Sequence, residues 1–197
     1  FSYTRANLKN EYEEGCVYYI HYGDIHATYS QIMLDFSKEK NIPVLKEDIV
    51  LPNTVDYLKS GDLVIADASE DYEGIGKCVE LANINTKKAI GGLHTIVLRD
   101  KNKKTVDGFR GYLLKNPIIS KEIRKIATGT SVYGITKSNL VKVKLLLPSI
   151  TEQKKIADTF SSIDGKLESL QKKKEEFANL KKGLMEQLLT GRIRVKV

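Results

Sequence analysis

A chain of 197 residues with 41% hydrophobic content can bury one core and carry an appendage. No apolar run reaches the ~20 residues of a membrane span. Phe1-Ser2-Tyr3-Thr4-Arg5 does not read as a signal peptide, and Cys16 and Cys78 do not make a disulfide framework, so a cytoplasmic, reducing setting is expected. The formal charge of +7, with more than its share in the last quarter, is compatible with a polyanionic partner but does not require one. The first residue is not Met, and a trimmed chain that lacks a short N-terminal piece is expected.

In chain order, residues 16–22 (Cys-Val-Tyr-Tyr-Ile-His-Tyr) are aromatic and β-branched and predict a strand ended by Gly23-Asp24. Residues 54–60 suit a short helical turn. Gly61-Asp62 then launches a buried strand over Leu63-Val64-Ile65-Ala66. After the turn-rich Glu70–Gly76 stretch, Lys77–Leu81 predicts another strand, and His94–Leu98 a fourth that runs into the charged turn 100–104. Ile119, Ile123 and Ile126 have helical spacing within residues 118–127. Val141, Val143, Leu145 and Leu147 alternate with Lys142 and Lys144, as in a half-buried strand. Many short mixed strands with few helices predict an α+β globular domain over residues 1–148.

Residues 149–189 change character. Ile156, Ile163, Leu170, Phe177 and Leu184 recur every seven residues. Phe160, Leu167 and Leu188 form a second seam four residues on, interrupted by Lys174 and Lys181. This is the pattern of a helix packed lengthwise on another helix. About 40 residues at about 1.5 Å each make a rod about 60 Å long, which a domain of this size cannot bury. A spacer and dimerisation role is expected, as an antiparallel coiled coil. Ser149 and Glu152 have capping-box spacing, and Gly191 stands where a helix-ending glycine belongs. In the tail, Ile193, Val195 and Val197 alternate with Arg192, Arg194 and Lys196, which suits a short strand or a docked end.

Most candidate chemistry fails on spacing. Gly74-Ile75-Gly76-Lys77 has Asp71 where a phosphate loop needs glycine, and Cys78 where it needs Ser or Thr. Asn116-Pro117-Ile118-Ile119 lacks the second proline and the aromatic residue of an amino-methyltransferase loop. Cys16, His21 and His26 have no Cys-x₂-Cys pair and no fourth ligand beside them. Asp67, Glu70, Asp71, Glu73 and Glu80, with Lys77 among them, could hold Mg²⁺ in a nuclease, although a solvated polar loop is the better account of them.

What remains is a binding surface. There are 10 tyrosines and no tryptophan. Tyr3, Tyr22, Tyr29, Tyr72 and Tyr133 lie in polar, turn-rich stretches. Basic and small polar residues accompany them: Arg5, His21, Lys77, Arg110, Thr130, Ser131 and Lys137. These residue types contact phosphates and base edges. The segment Gly129-Thr130-Ser131-Val132-Tyr133-Gly134, with Lys137 beside it, is the leading candidate, since glycines admit close backbone approach. The competing account is that Gly129 and Gly134 only shape a connection.

Three stretches carry a family resemblance. Leu147-Pro148-Ser149-Ile150-Thr151-Glu152-Gln153-Lys154-Lys155-Ile156, with Ile163-Asp164 and the run from Leu180-Lys181-Lys182-Gly183-Leu184 to Thr190-Gly191-Arg192-Ile193-Arg194-Val195, resembles the conserved helical region of the DNA-specificity (S, HsdS) subunit of type I restriction–modification systems. Gly129–Leu140 resembles the end of that family's target recognition domain, and Gly61-Asp62-Leu63-Val64-Ile65-Ala66-Asp67 its Gly-Asp strand. The resemblance implies a non-catalytic subunit that reads one half of a split sequence in double-stranded DNA. It implies docking to methyltransferase (M) subunits and, through them, to the motor–nuclease (R) subunit. S-adenosylmethionine, ATP and Mg²⁺ would then belong to those partners, with no cofactor and no metal in this chain. Family members carry two recognition domains and two helical regions, whereas this chain has one of each. It is therefore either a half-subunit that forms a homodimer or half of a longer chain. The alternatives are a metal-dependent nuclease using the Asp67–Glu80 stretch and a coiled-coil assembly factor with no DNA role.

Overall fold

The structure is a computed structural model and describes residues 2–195. A 3-10 turn at Arg5–Asn7 leads into β1 (Leu8–Lys9), β2 (Val17–Ile20), α1 (Tyr22–Ala27), β3 (Met33–Asp35) and β4 (Val44–Leu45). The chain continues through β5 (Leu63–Ala66), β6 (Ala68–Ser69), β7 (Cys78–Ala82), β8 (Lys88–Gly91) and β9 (Thr95–Leu98). Then come α2 (Arg110–Lys115), α3 (Pro117–Lys125), β10 (Tyr133–Gly134), α4 (Lys137–Leu140) and α5 (Ile150–Leu189). The fold is α+β with a long C-terminal helix.

Two compact units divide the chain, Phe1–Ala157 and Asp158–Val197. In the first, two four-stranded sheets run β1-β4-β2-β8 and β3-β7-β5-β9. Each contains one parallel pair, β2 with β8 and β3 with β7. Alternation along β5 shows how the layers form. Val64 and Ala66 face a core shared with Tyr18, Ile20, Val44 and Ala89 of the other sheet. Leu63 and Ile65 point the opposite way, into a second core closed by Leu114, Ile119, Ile123 and Leu140 of the small helices. Tyr19 and Ile90 bury the outer face of the first sheet under Ile49, Leu51 and Val55. Asn116 caps α3 by accepting from the Ile118 N–H, with Pro117 in its first turn. That assigns the Asn-Pro pair a structural task.

Glu80 is the most deeply buried acid. Its carboxylate accepts the Gly108 N–H at 2.7 Å and the Gly111 N–H at 2.9 Å, and Arg110 lies 3.5 Å away. Burial pushes its carboxyl upward, and the two amides and the guanidinium offset part of that.

Several expected elements differ. The strand expected over residues 16–22 ends at Ile20, because His21 caps α1 and Tyr22 is its first helical residue. Residues 54–60 form no helix. The Leu58 N–H bonds to Ala89 O at 2.8 Å, and Arg99 holds Tyr57 O and Asp56, so this backbone is used by the sheet edge. Residues 141–147 form no strand. Val141 turns back on α4, Leu146 is 93% exposed, and no described strand pairs with the segment.

The second unit is the body of α5. The capping box forms as spaced: Glu152 N–H donates to Ser149 Oγ at 3.3 Å, and Ser149 N–H to Glu152 Oε2 at 3.0 Å. Gly191, at φ +72, donates to Leu188 O and ends the helix. Gln153 and Ala157 are the buried residues of α5, and Ile156 is half-buried. Ile163, Leu167, Leu170, Phe177, Leu184 and Leu188 are between 39% and 69% exposed, on the seven-residue stripe. Residues 192–195 form no strand, and Lys196 and Val197 lie outside the described residues. No described helix is long and apolar enough to cross a membrane.

Candidate nucleic-acid interface

The segment Asp67-Ala68-Ser69 lies between two groups of side chains that are remote in sequence. On one side is Tyr22. His21 takes extended backbone and accepts the Gly23 N–H on Nδ1 at 3.0 Å, which starts α1 and turns Tyr22 out of the strand direction. Rings gather on Tyr22: His21 at 4.8 Å, His26 edge-on at 6.3 Å and His94 edge-on at 5.3 Å. These are all 3 histidines of the chain. His26 Nε2 bonds to Ala68 O at 2.9 Å, and His94 Nδ1 to Asp67 Oδ1 at 3.1 Å. Lys77 approaches from beside them, its Nζ donating to His26 O at 3.5 Å.

On the other side is the loop 129–134. β10 pairs antiparallel with β6, in register Tyr133 with Ser69 and Gly134 with Ala68. The Tyr133 ring meets Tyr72 edge-on at 5.4 Å. Thr128 and Gly134 close the loop through paired N–H to carbonyl bonds of 2.9 and 2.8 Å. Gly129 sits at φ +126, and a Cβ there would fall 1.9 Å from Val132 O, so the turn demands glycine. Gly134 has no such demand, with only Asp67 O at 3.6 Å. Thr130, Ser131 and Lys137 are exposed. Lys137 also borders a shallow cavity with Thr95, Val97, Arg99 and Lys101.

Electrostatics separates anchored residues from available ones. Burial, and then the Arg5 charge, lower the His21 pKa, consistent with a neutral ring whose Nδ1 accepts a hydrogen bond. Arg5 is paired with the buried Asp24. Arg110 is a brace. Its guanidinium bonds Thr105, Gly61 O and Asp107, and its side chain is 14% exposed. The fold therefore brings Tyr22, Tyr72, Lys77 and Tyr133 around one segment, leaves Thr130 and Ser131 exposed in the loop beside Tyr133, and sets Arg110 elsewhere. The sequence marks His94 only as the start of a strand, and His26 only as a weak metal ligand. The Gly91-Gly92 pair before His94 is the available signal of a turn there.

The acidic stretch does not assemble. Glu80 faces α2, Glu73 pairs with Arg124 at 2.8 Å, Asp67 holds His94, and Asp71 accepts the Gly74 N–H. Among the described residues, no three His, Cys, Asp or Glu side chains group as metal ligands.

Comparison with known proteins adds a family. Residues 3–178 match the type I restriction modification DNA specificity domain. The specificity subunit of the type I restriction enzyme MjaVIII of Methanocaldococcus jannaschii is 36% identical over 159 residues, 80% of this chain and 37% of that protein. A putative type I restriction enzyme MjaX specificity subunit of the same organism is 39% identical over 95 residues, 48% of this chain and 22% of its own length. The chain thus spans well under half of these relatives. The crystal structure of a type I restriction–modification S subunit from M. genitalium aligns with a TM-score of 0.48 at 20% identity, covering 67% of this chain and 33% of that one.

Proposed function

The chain belongs to the type I restriction modification DNA specificity domain family, and from that premise we propose that it is a sequence-specific DNA-binding subunit of a type I restriction–modification complex. In this reading residues 1–148 recognise one half of a bipartite target in double-stranded DNA. Residues 149–197 act as a helical spacer that docks methyltransferase subunits and pairs antiparallel with a second copy. The carrying observation is that the family match runs through the strand-rich unit and well into α5. The set of Tyr22, Tyr72, Tyr133, Lys77, Thr130 and Ser131 supports it. It offers aromatic faces, hydroxyls and a cation near one segment, the side-chain types that contact phosphates and base edges.

The chain itself performs no chemistry in this proposal. S-adenosylmethionine, ATP and Mg²⁺ act on the methyltransferase and motor–nuclease partners, in the cytoplasm. The test is a gel shift on a pool of randomised duplex DNA, followed by enrichment and sequencing. A recurrent half-site is expected, with affinity that falls as salt rises. Binding to no duplex at low salt would refute the reading.

A further inference from the structure

We infer that His94 is a specificity-determining residue of this DNA-reading surface, and that its Nε2 accepts a hydrogen bond from the exocyclic amino group of one target base. The inference rests on the reading proposed above and names a residue within it.

His94 is firmly held. It stands at φ +55, in the left-handed region, at the turn between β8 and β9. Three bonds pin that turn. Leu93 N–H donates to Tyr19 Oη at 2.7 Å, Thr95 Oγ1 to Gly92 O at 2.6 Å, and Asp67 N–H to His94 O at 3.0 Å. The ring is fixed as well, edge-on to Tyr22 and bonded through Nδ1 to Asp67 Oδ1. Even so, half of the side chain is exposed. A ring held in a sparsely populated backbone conformation, oriented by a carboxylate and still open to solvent, is prepared to contact something outside the fold.

The chemistry follows from the Asp67 bond. A carboxylate only accepts, so Nδ1 carries the hydrogen. In the neutral ring Nε2 then has a lone pair, and it makes no hydrogen bond among the described residues. In the major groove the amino groups of adenine and cytosine are the donors such an atom can meet. Tyr133 meets Tyr72 edge-on and pairs with Ser69, two residues along the chain from the Asp67 that holds His94, so in this proposal one duplex contacts all three side chains.

The experiment compares the whole chain with its His94→Gly and Asp67→Asn variants by enrichment from randomised duplexes. Glycine keeps the left-handed backbone without strain and removes only the ring. The expected result is that His94→Gly flattens preference at one or two adjacent base pairs, with about a tenfold loss of discrimination there, while the other positions and the salt dependence hold. Asp67→Asn weakens preference at the same positions. A duplex whose favoured base lacks its exocyclic amino group then binds the wild-type chain about tenfold more weakly but costs His94→Gly nothing further. Unchanged preference at every position, or a uniform loss at all of them together with a lower melting temperature, overturns the role of His94. Failure of the wild-type chain to enrich any half-site overturns the DNA-reading function, and this inference with it.

Discussion

At His21 the Nδ1 atom accepts an amide hydrogen, which demands a neutral ring, and burial keeps the pKa below the ordinary 6.5. The unfolded state therefore binds a proton that the folded state resists. This stabilisation is fully present above about pH 6.5 and is lost as pH falls through the lowered value. His21→Asn, a good cap that does not titrate, should lose less stability between pH 7 and 5 than the wild type, read from thermal melts. Glu80 presents a larger stake. Its removal strands the Gly108 and Gly111 amides and leaves Arg110 with one carboxylate fewer. Glu80→Ala should cost about 3–5 kcal/mol in denaturant titration, the scale of a broken buried pair. At the proposed interface, Tyr133→Ala should weaken DNA binding by about 1–3 kcal/mol and relax preference at a base pair. Lys137→Ala should instead weaken all sequences alike and flatten the salt dependence. If neither variant changes affinity or preference, the reading surface is centred on Tyr22 rather than on the loop 129–134.

Helix α5 carries two faces along its length. Its start is held in the strand-rich unit, where Gln153 accepts the Val106 N–H at 3.0 Å and donates to Lys104 O and Pro148 O. Beyond Ala157, its seven-residue stripe lies in water. Burying one large apolar side chain is worth roughly 1.5–3 kcal/mol. A stripe of six of them therefore favours pairing with another helix. Lys174 and Lys181 weaken the second seam, and their stems can pack while their ammonium groups reach water. The double variant Leu170→Asp/Phe177→Asp should shift the chain from dimer to monomer in light scattering at micromolar concentration. A wild-type chain that is monomeric under those conditions would remove the homodimer from the proposal and leave pairing with a second helical region in the same chain.

For the whole molecule, the proposed division of labour makes a negative prediction with a positive control. The purified chain should neither cleave nor methylate DNA with Mg²⁺, ATP and S-adenosylmethionine present. Adding methyltransferase subunits should bring methylation at the enriched half-site, and cleavage should follow only with the motor–nuclease subunit. Cleavage by the chain alone that is abolished in Asp67→Ala would contradict the specificity-subunit reading. The geometry does not favour that outcome, because Asp67, Asp71, Glu73 and Glu80 are each spent on a separate local bond.

Local pattern determined much of this protein. The α5 helix, its Ser149–Glu152 box and its terminal glycine all follow from spacings of three to seven residues, which a helix reads directly. The strands at Leu63–Ala66, Cys78–Ala82 and Thr95–Leu98 were legible for the same reason, since β-branched runs between turn residues need no distant information. The family resemblance was carried by these same local motifs. Residues 141–147 show the limit. Their alternation is strand-like, but a strand needs a partner backbone, and none of the described strands offers one. Tertiary structure alone decided the candidate interface. Pairing of β10 with β6 brings Tyr133 to Tyr72, and the meeting of α1 with the turn at His94 gathers the histidines on Tyr22. It also decided that Arg110, a plausible DNA contact by type and charge, is a brace for Thr105, Gly61 and Glu80. A side chain's type is written in the chain, but whether it points to solvent or into an internal bond depends on contacts between residues tens of positions apart.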